Sequence, residues 1–241
     1  MLDCLPGDVR DTLLRSAERV ELARHTPLAD SQSLPAHGYF LCEGLASLVV
    51  STSGGGAAEV AMCGKDGLVG AFSLLGNQPS SAETFMQVSG EGYRVPRKTL
   101  EHLFQAEEAF RGLVLAWIQV TLHTSLQTSA CGLLHEAEAR LARWLLMTSD
   151  RTDSDTMDLT QEFLAQMLGT QRTTIALIAG NLRKSGLIDY TRGRLRILNR
   201  TGLQAAACEC YGVARSSLLH LYPALKLAET PPIQGVSGTR Q

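Results

Sequence analysis

The chain has 241 residues and a mass of 26.0 kDa, room for one large domain or two modest ones. Apolar residues make up 44% and charged residues 19%, a balance that excludes global disorder. The net charge of −2 conceals an asymmetry. Residues 1–150 hold 11 Lys/Arg against 17 Asp/Glu, residues 151–241 hold 11 against 7, and residues 171–200 hold seven basic groups to one acidic. That split points to an anionic partner for the C-terminal part alone.

The first 25 residues carry charges throughout and contain no apolar core of a secretory signal. Residues 112–135, free of Asp, Glu, Lys and Arg, are long enough to span a bilayer. Gln119, Thr121, His123, Thr124, Ser125, Gln127, Thr128 and Ser129 would then face lipid, so the segment is predicted as a helix buried against protein, with no membrane partner. The six cysteines are scattered without a C-x-x-C pair. No disulfide framework is expected, and the cytoplasm is the expected compartment.

An N-terminal helix precedes a region of short strands between turns, from about residue 21 to 95, with Gly recurring at the breaks and apolar runs at 39–41, 46–50 and 59–62. This pattern predicts a small antiparallel roll. Gly54, Gly55 and Gly56 mark one hairpin turn.

The period then changes. Residues 104–134 predict one long helix, with Leu115, Ile118, Leu122 and Ser125 on one face and Leu113, Trp117, Val120 and Thr124 on another. A helix apolar on two sides needs two covers. The roll supplies one, and a second copy of the chain is the simplest source of the other, over Leu113, Trp117, Val120 and Thr124; an ordinary core helix of a single chain is the alternative. A further helix is predicted over 135–148, and the acidic run Asp150-Arg151-Thr152-Asp153-Ser154-Asp155 reads as a linker. Beyond residue 222 the Pro-, Gly- and Ser-rich tail is expected to be flexible.

Residues 161–180, QEFLAQMLGTQRTTIALIAG, carry the most specific signal. Leu164, Leu168, Ile175 and Ile178 supply the shared apolar centre of a helix-turn-helix, and Ala165 is small at the crossing. Gly169 takes the turn, and Thr170 is expected to cap the second helix. Gln171, Arg172, Thr173 and Thr174 then open that helix, the end that enters a major groove. Gly180 weakens the helix and is expected to serve close packing. Residues 187–197 predict a two-stranded wing turning at Gly193, with Leu195 and Ile197 inward and Arg194 and Arg196 outward beside Arg192, in reach of phosphates.

Residues 159–199, with RLARWLL at 140–146, resemble the winged-helix region of the Crp/Fnr family of bacterial transcription regulators, and the roll and long helix resemble that family's effector domain and dimerisation helix. The resemblance implies an α+β chain: an N-terminal antiparallel β-roll like a cyclic-nucleotide-binding jelly roll (1–103), a dimerisation helix (104–134), a C-terminal winged helix-turn-helix domain (135–222) and a tail (223–241). It further implies a homodimer on double-stranded DNA with two-fold symmetry, and it admits RNA polymerase and a small-molecule effector as partners. Carried over by residue, Arg172 falls at the guanine-reading position. Thr173 stands where well-known members have glutamate or serine, which implies a different operator, and Leu177 replaces a polar reader and faces a thymine methyl. Thr160 joins Arg192, Arg194 and Arg196 on the backbone. Asp66-Gly67-Leu68-Val69-Gly70-Ala71 aligns with the phosphate cassette of cyclic-nucleotide members. Its glutamate position is Ala71 and its arginine region reads Gln78-Pro79-Ser80-Ser81, so Gly70, Ala71, Ser80 and Ser81 outline an effector pocket that lacks the usual pair. Residues 26–39 are short compared with the family's roll, so a first strand is expected to be missing or displaced.

No cofactor and no metal is assigned. Cys208 and Cys210 are expected to point to different sides, the histidines lack ligand spacing, and Cys4 stands without the N-terminal cluster of the oxygen-sensing branch. His135-Glu136-Ala137-Glu138-Ala139 lacks the second histidine of a zinc-protease helix, Gly64-x-x-Gly67-x-x-Gly70 is misspaced for a dinucleotide loop, and no G-x-S-x-G occurs. No enzyme is expected. A ligand sensor whose winged domain contacts proteins, and a thiol-redox regulator, stay open as alternatives.

Overall fold

The computed structural model describes residues 1–76 and 78–221; the tail expected over 223–241 lies outside them. Helix α1 (Gly7–Arg15) buries Val9 and Leu13, four apart on one face. Strands β1 (Glu18–Leu22), β2 (Pro27–Ala29), β3 (His37–Leu41), β4 (Leu45–Ser51), β5 (Ala57–Cys63), β6 (Glu83–Val88) and β7 (Gly90–Pro96) follow. They form two antiparallel sheets, ordered β1-β7-β3 and β2-β6-β4-β5. The first strand is therefore present. It begins at Glu18, upstream of the expected start, and pairs along β7 from Glu18↔Arg94 to Leu22↔Gly90. The triple glycine turns β4 into β5, and Gly55 takes φ +83°, where a glycine backbone is unstrained.

The helix expected over 104–134 is two. α2 (Arg97–Ala106) ends at Glu107, whose extended backbone (φ −108°, ψ 108°) breaks the run, and α3 (Glu108–Leu134) begins there. Its 27 residues make a rod of about 40 Å. α3 is covered on two sides within its own chain. Phe110, Val114, Trp117 and Ile118 join the roll core with Phe40, Leu68 and Leu100, while α8 (Cys210–Leu221) packs along another side. Trp117 and Thr124, expected at a dimer contact, are only 2% and 8% exposed in the single chain. Trp117 lies on Gly67, where any added β-carbon would overlap the indole, and Val120 lines the groove between α3 and α8. The open side carries Leu115, Leu122, Leu126 and Leu133 instead.

α4 (Ala137–Thr152) runs past its expected end, so the first half of the supposed linker is helix. Charged residues of this run have internal partners. Asp150 pairs with Arg200 and accepts from Tyr211 Oη at 2.9 Å, and Arg151 meets Asp66 of the roll at 3.1 Å with both side chains buried. The run reads as a linker because these counter-charges are distant in sequence.

β8 (Thr156–Asp158), α5 (Gln161–Leu168), α6 (Arg172–Lys184), β9 (Ile188–Thr191), β10 (Arg194–Ile197) and α7 (Arg200–Ala206) complete the C-terminal part. Its core holds Leu141, Leu145, Leu164, Leu168, Ile175, Ile178 and Leu195, and it extends onto the outer face of the roll through Leu45, Val49 and Met62. Gly180 sits in α6 with nothing within 4 Å of an added β-carbon, so it does not serve close packing. Gly180→Ala is expected to stabilise the fold by about 0.5–1 kcal/mol, read as a shift of the urea midpoint at unchanged slope.

Candidate nucleic-acid interface

Thr160 caps α5: its Oγ1 accepts from Phe163 N at 3.1 Å. α5 stops at Gly169, with φ +58°, and the chain re-enters a helix within a few residues. Leu164, Leu168, Ile175 and Ile178 are 0, 4, 0 and 7% exposed, and Ala165 is 4% exposed, so the apolar centre forms as the spacing requires. Thr170 does not cap α6. Gln171 occupies that position without a side-chain bond, leaving the first amides of α6 open at its exposed end.

Gln171, Arg172 and Thr173 are exposed and Thr174 is half-buried. Leu177, one turn on, is 66% exposed on an otherwise amphipathic helix. An apolar side chain held in water at that position suits contact with another molecule better than a core role.

The wing has three strands, ordered β8-β10-β9, with β10 in the middle. The predicted hairpin gains β8 because Arg194, Leu195 and Arg196 pair with Asp158, Met157 and Thr156. Leu195 and Ile197 are buried, and Arg194 and Arg196 are exposed. Arg194 lies directly across from Asp158, and Arg196 across from Asp189, so part of the positive charge has an anionic neighbour on the same face. Arg192 and Gly193 form the two-residue turn with φ +52° and +81°, the signs of a type I′ hairpin. Arg192, at the tip, reaches both clefts of this surface. One runs between Thr160, Glu162, Arg172 and Tyr190, the other along Thr156, Asp158, Arg194 and Arg196. The structure thus brings Thr160, Arg172 and Arg192 around one cleft.

The expected effector pocket is largely filled. Gly70 and Ser80 line a cavity of about 30 Å³ with Leu48, Leu68, Phe72 and Trp117, room for a water molecule or two. Ala71 is fully buried and Ser81 is exposed, and neither lines this cavity. Asp66, at the head of the cassette, is occupied by Arg151 and by the amide of Gly64 at 2.8 Å.

Sequence reasoning missed a second constellation. Cys131 and His135 at the end of α3 meet Cys208 and Cys210 ahead of and at the start of α8. Cys208 and Cys210 converge because Cys208 lies in the turn before the helix and does not follow its spacing. Burial and the neighbouring thiols push Cys208 up to about 12.

The chain thus joins a β-roll through a long helix to a winged helix-turn-helix. Residues 139–206 match the Crp-like helix-turn-helix domain. The chain superposes on FixK2 from Bradyrhizobium japonicum with a TM-score of 0.67 at 16% identity, over 80% of this chain and 98% of that one. For a CRP-family transcriptional regulator from Thermus thermophilus the values are 0.64 and 19%, over 79% and 96%. For CLP from Xanthomonas campestris, described as a c-di-GMP-responsive global regulator, they are 0.63 and 15%, over 80% and 99%. No curated protein matches the chain in sequence. Residues 139–206 are thus a Crp-like helix-turn-helix domain, and the whole chain has the fold of Crp/Fnr-type transcription regulators.

Proposed function

We propose that the chain is a homodimeric, sequence-specific DNA-binding transcription regulator working in the cytoplasm. The observation that carries this reading is the exposed start of α6, with Gln171, Arg172 and Thr173 turned to solvent beside the cleft shared by Arg172, Thr160 and Arg192. Arg172 reads a base edge in the major groove, Thr173, Thr174 and Leu177 tune the neighbouring positions, and Arg192, Arg194 and Arg196 hold phosphates. The dimer contact moves to the open side of α3. Leu115, Leu122, Leu126 and Leu133 recur at heptad-compatible spacing on an exposed stripe, which a second copy covers.

The small cavity of about 30 Å³ beside Trp117 supports a roll that serves as a structural partner of α3 and α4.

Selection of duplexes by the full chain at moderate salt tests the reading. Bound sites are expected to share two half-sites related by two-fold symmetry and spaced by about one helical turn or a multiple of it. Equal affinity for every duplex would refute it. Arg192→Asn keeps a turn residue that tolerates positive φ and removes the charge. It is expected to weaken operator and random DNA alike and to lower the slope of log affinity against log salt by about 1 per arm.

A further inference from the structure

Cys131, His135, Cys208 and Cys210 place their ligating atoms within 4.8 Å of one another. Cys131 Sγ lies 3.4 Å from Cys208 Sγ, and Cys210 Sγ lies 3.5 Å from His135 Nδ1. A tetrahedral ion with bonds of about 2.3 Å to sulfur and about 2.0 Å to nitrogen sets its ligand atoms roughly 3.5–3.8 Å apart. A disulfide would need about 2.05 Å. The span admits one ion and leaves no space for several irons bridged by sulfides.

We propose that these three cysteines and His135 Nδ1 bind a single zinc ion that fastens the start of α8 to the end of α3. The donor set selects the metal: three soft thiolates and an imidazole in a closed tetrahedron suit zinc and not magnesium or calcium. Four protein ligands leave no open position, so the site is structural.

Three surrounding groups are arranged for such an ion. Glu209, between the two cysteines, meets His135 Nε2 at 3.0 Å, which orients the ring and leaves Nδ1 for the metal. Gln127 Nε2 donates to Cys210 Sγ at 3.0 Å, a bond that strengthens when the sulfur is anionic. Arg143, 5% exposed, lies near Cys131, and its Nε has no hydrogen-bond partner among the described residues. Three thiolates around a divalent ion leave one net negative charge, which this buried guanidinium offsets. Binding releases the three thiol protons to solvent.

The position gives the ion a mechanical role. α3 ends at His135, the backbone is extended through His135 and Glu136, and α4 then begins. The ion would brace that joint from the far side by tying α8 to the rod. This inference does not depend on the DNA-binding reading, and its test uses no DNA.

Full-length protein is analysed for zinc as purified, then stripped of metal by a chelator under reducing conditions and titrated with Co²⁺. Expected are one zinc per chain and, with cobalt, intense visible bands of a tetrahedral ion together with near-ultraviolet thiolate charge transfer. The double variant Cys208→Ser, Cys210→Ser is expected to lose the metal, while Cys4→Ser, Cys42→Ser keeps it. Absence of stoichiometric binding by the wild-type chain, an octahedral cobalt spectrum, binding that survives loss of Cys208 and Cys210, or a mass lighter by two hydrogens from a Cys131–Cys208 disulfide after reduction would each overturn the proposal. The wild-type cobalt spectrum needs no variant, so it decides even if the double variant fails to fold.

Discussion

Arg172→Ala is expected to lose about 1–3 kcal/mol of binding per half-site, a factor of roughly 5 to 150, with discrimination relaxed at one base pair in each half. The size follows from what an exposed guanidinium can do at the start of a helix. Two parallel donors match the paired acceptors of a guanine edge, and no other base offers the same pair. Arg172 is exposed in the free chain, so its removal leaves no buried partner unsatisfied and folding is expected to be unchanged. On a symmetric site both protomers lose the contact, so the losses add. The check is a pair of dissociation constants at one salt concentration, for the selected operator and for a random duplex of equal length. A large loss on the operator and a small one on random DNA is the expected result. Equal losses would make Arg172 a phosphate contact.

The reading head was legible in the sequence because its constraints are local. Gly169, the apolar residues at helical spacing and the residues of the wing turn lie close together along the chain, and each is set by backbone geometry. What periodicity left open was which side of α3 meets which neighbour. A helix apolar all round offers several stripes, and the choice was made by Gly67, whose missing side chain admits Trp117. The acidic run from Asp150 reads as a linker for a related reason: the partners of Asp150 and Arg151, Arg200 and Asp66, lie far along the chain. The thiol–imidazole cluster had half a signal, since Cys131 and His135 lie one helical turn apart at the end of α3. Its other half depends on the turn that separates Cys208 from α8, which spacing on a helix does not reveal.

Glu59 supplies the second large effect, because it is a carboxyl buried where the roll meets α4. Its Oε2 lies 2.6 Å from Ser47 Oγ, and its Oε1 accepts from Trp144 Nε1 at 2.8 Å. Burial pushes it up to about 7, against the bonds from Ser47 and Trp144 and the charges of Arg143 and Arg151. A proton on Glu59 also completes a chain of bonds: the carboxyl donates to Ser47, and Ser47 donates to Gln87 Oε1 at 2.5 Å. The ordinary value of a glutamate is 4.5, so between that pH and about 7 the folded chain holds a proton that the unfolded chain has released. The stabilisation is complete below the unfolded value and is lost as pH rises through the folded one. At about 1.4 kcal/mol per unit, the loss amounts to about 3 kcal/mol. Glu59→Gln keeps an acceptor for Trp144 and has no charge to bury, so its stability is expected not to fall over the same interval from this source. Urea denaturation of both proteins at about pH 5 and about pH 8 isolates the effect, because every other titrating group is common to the two. The wild-type chain is expected to lose about 3 kcal/mol relative to the variant at the higher pH. Parallel pH profiles would mean that water or Arg143 reaches the carboxylate and that Glu59 stays ionised in the fold. Since Glu59 belongs to β5 and Trp144 to α4, the lost energy falls on the contact between the roll and the C-terminal part.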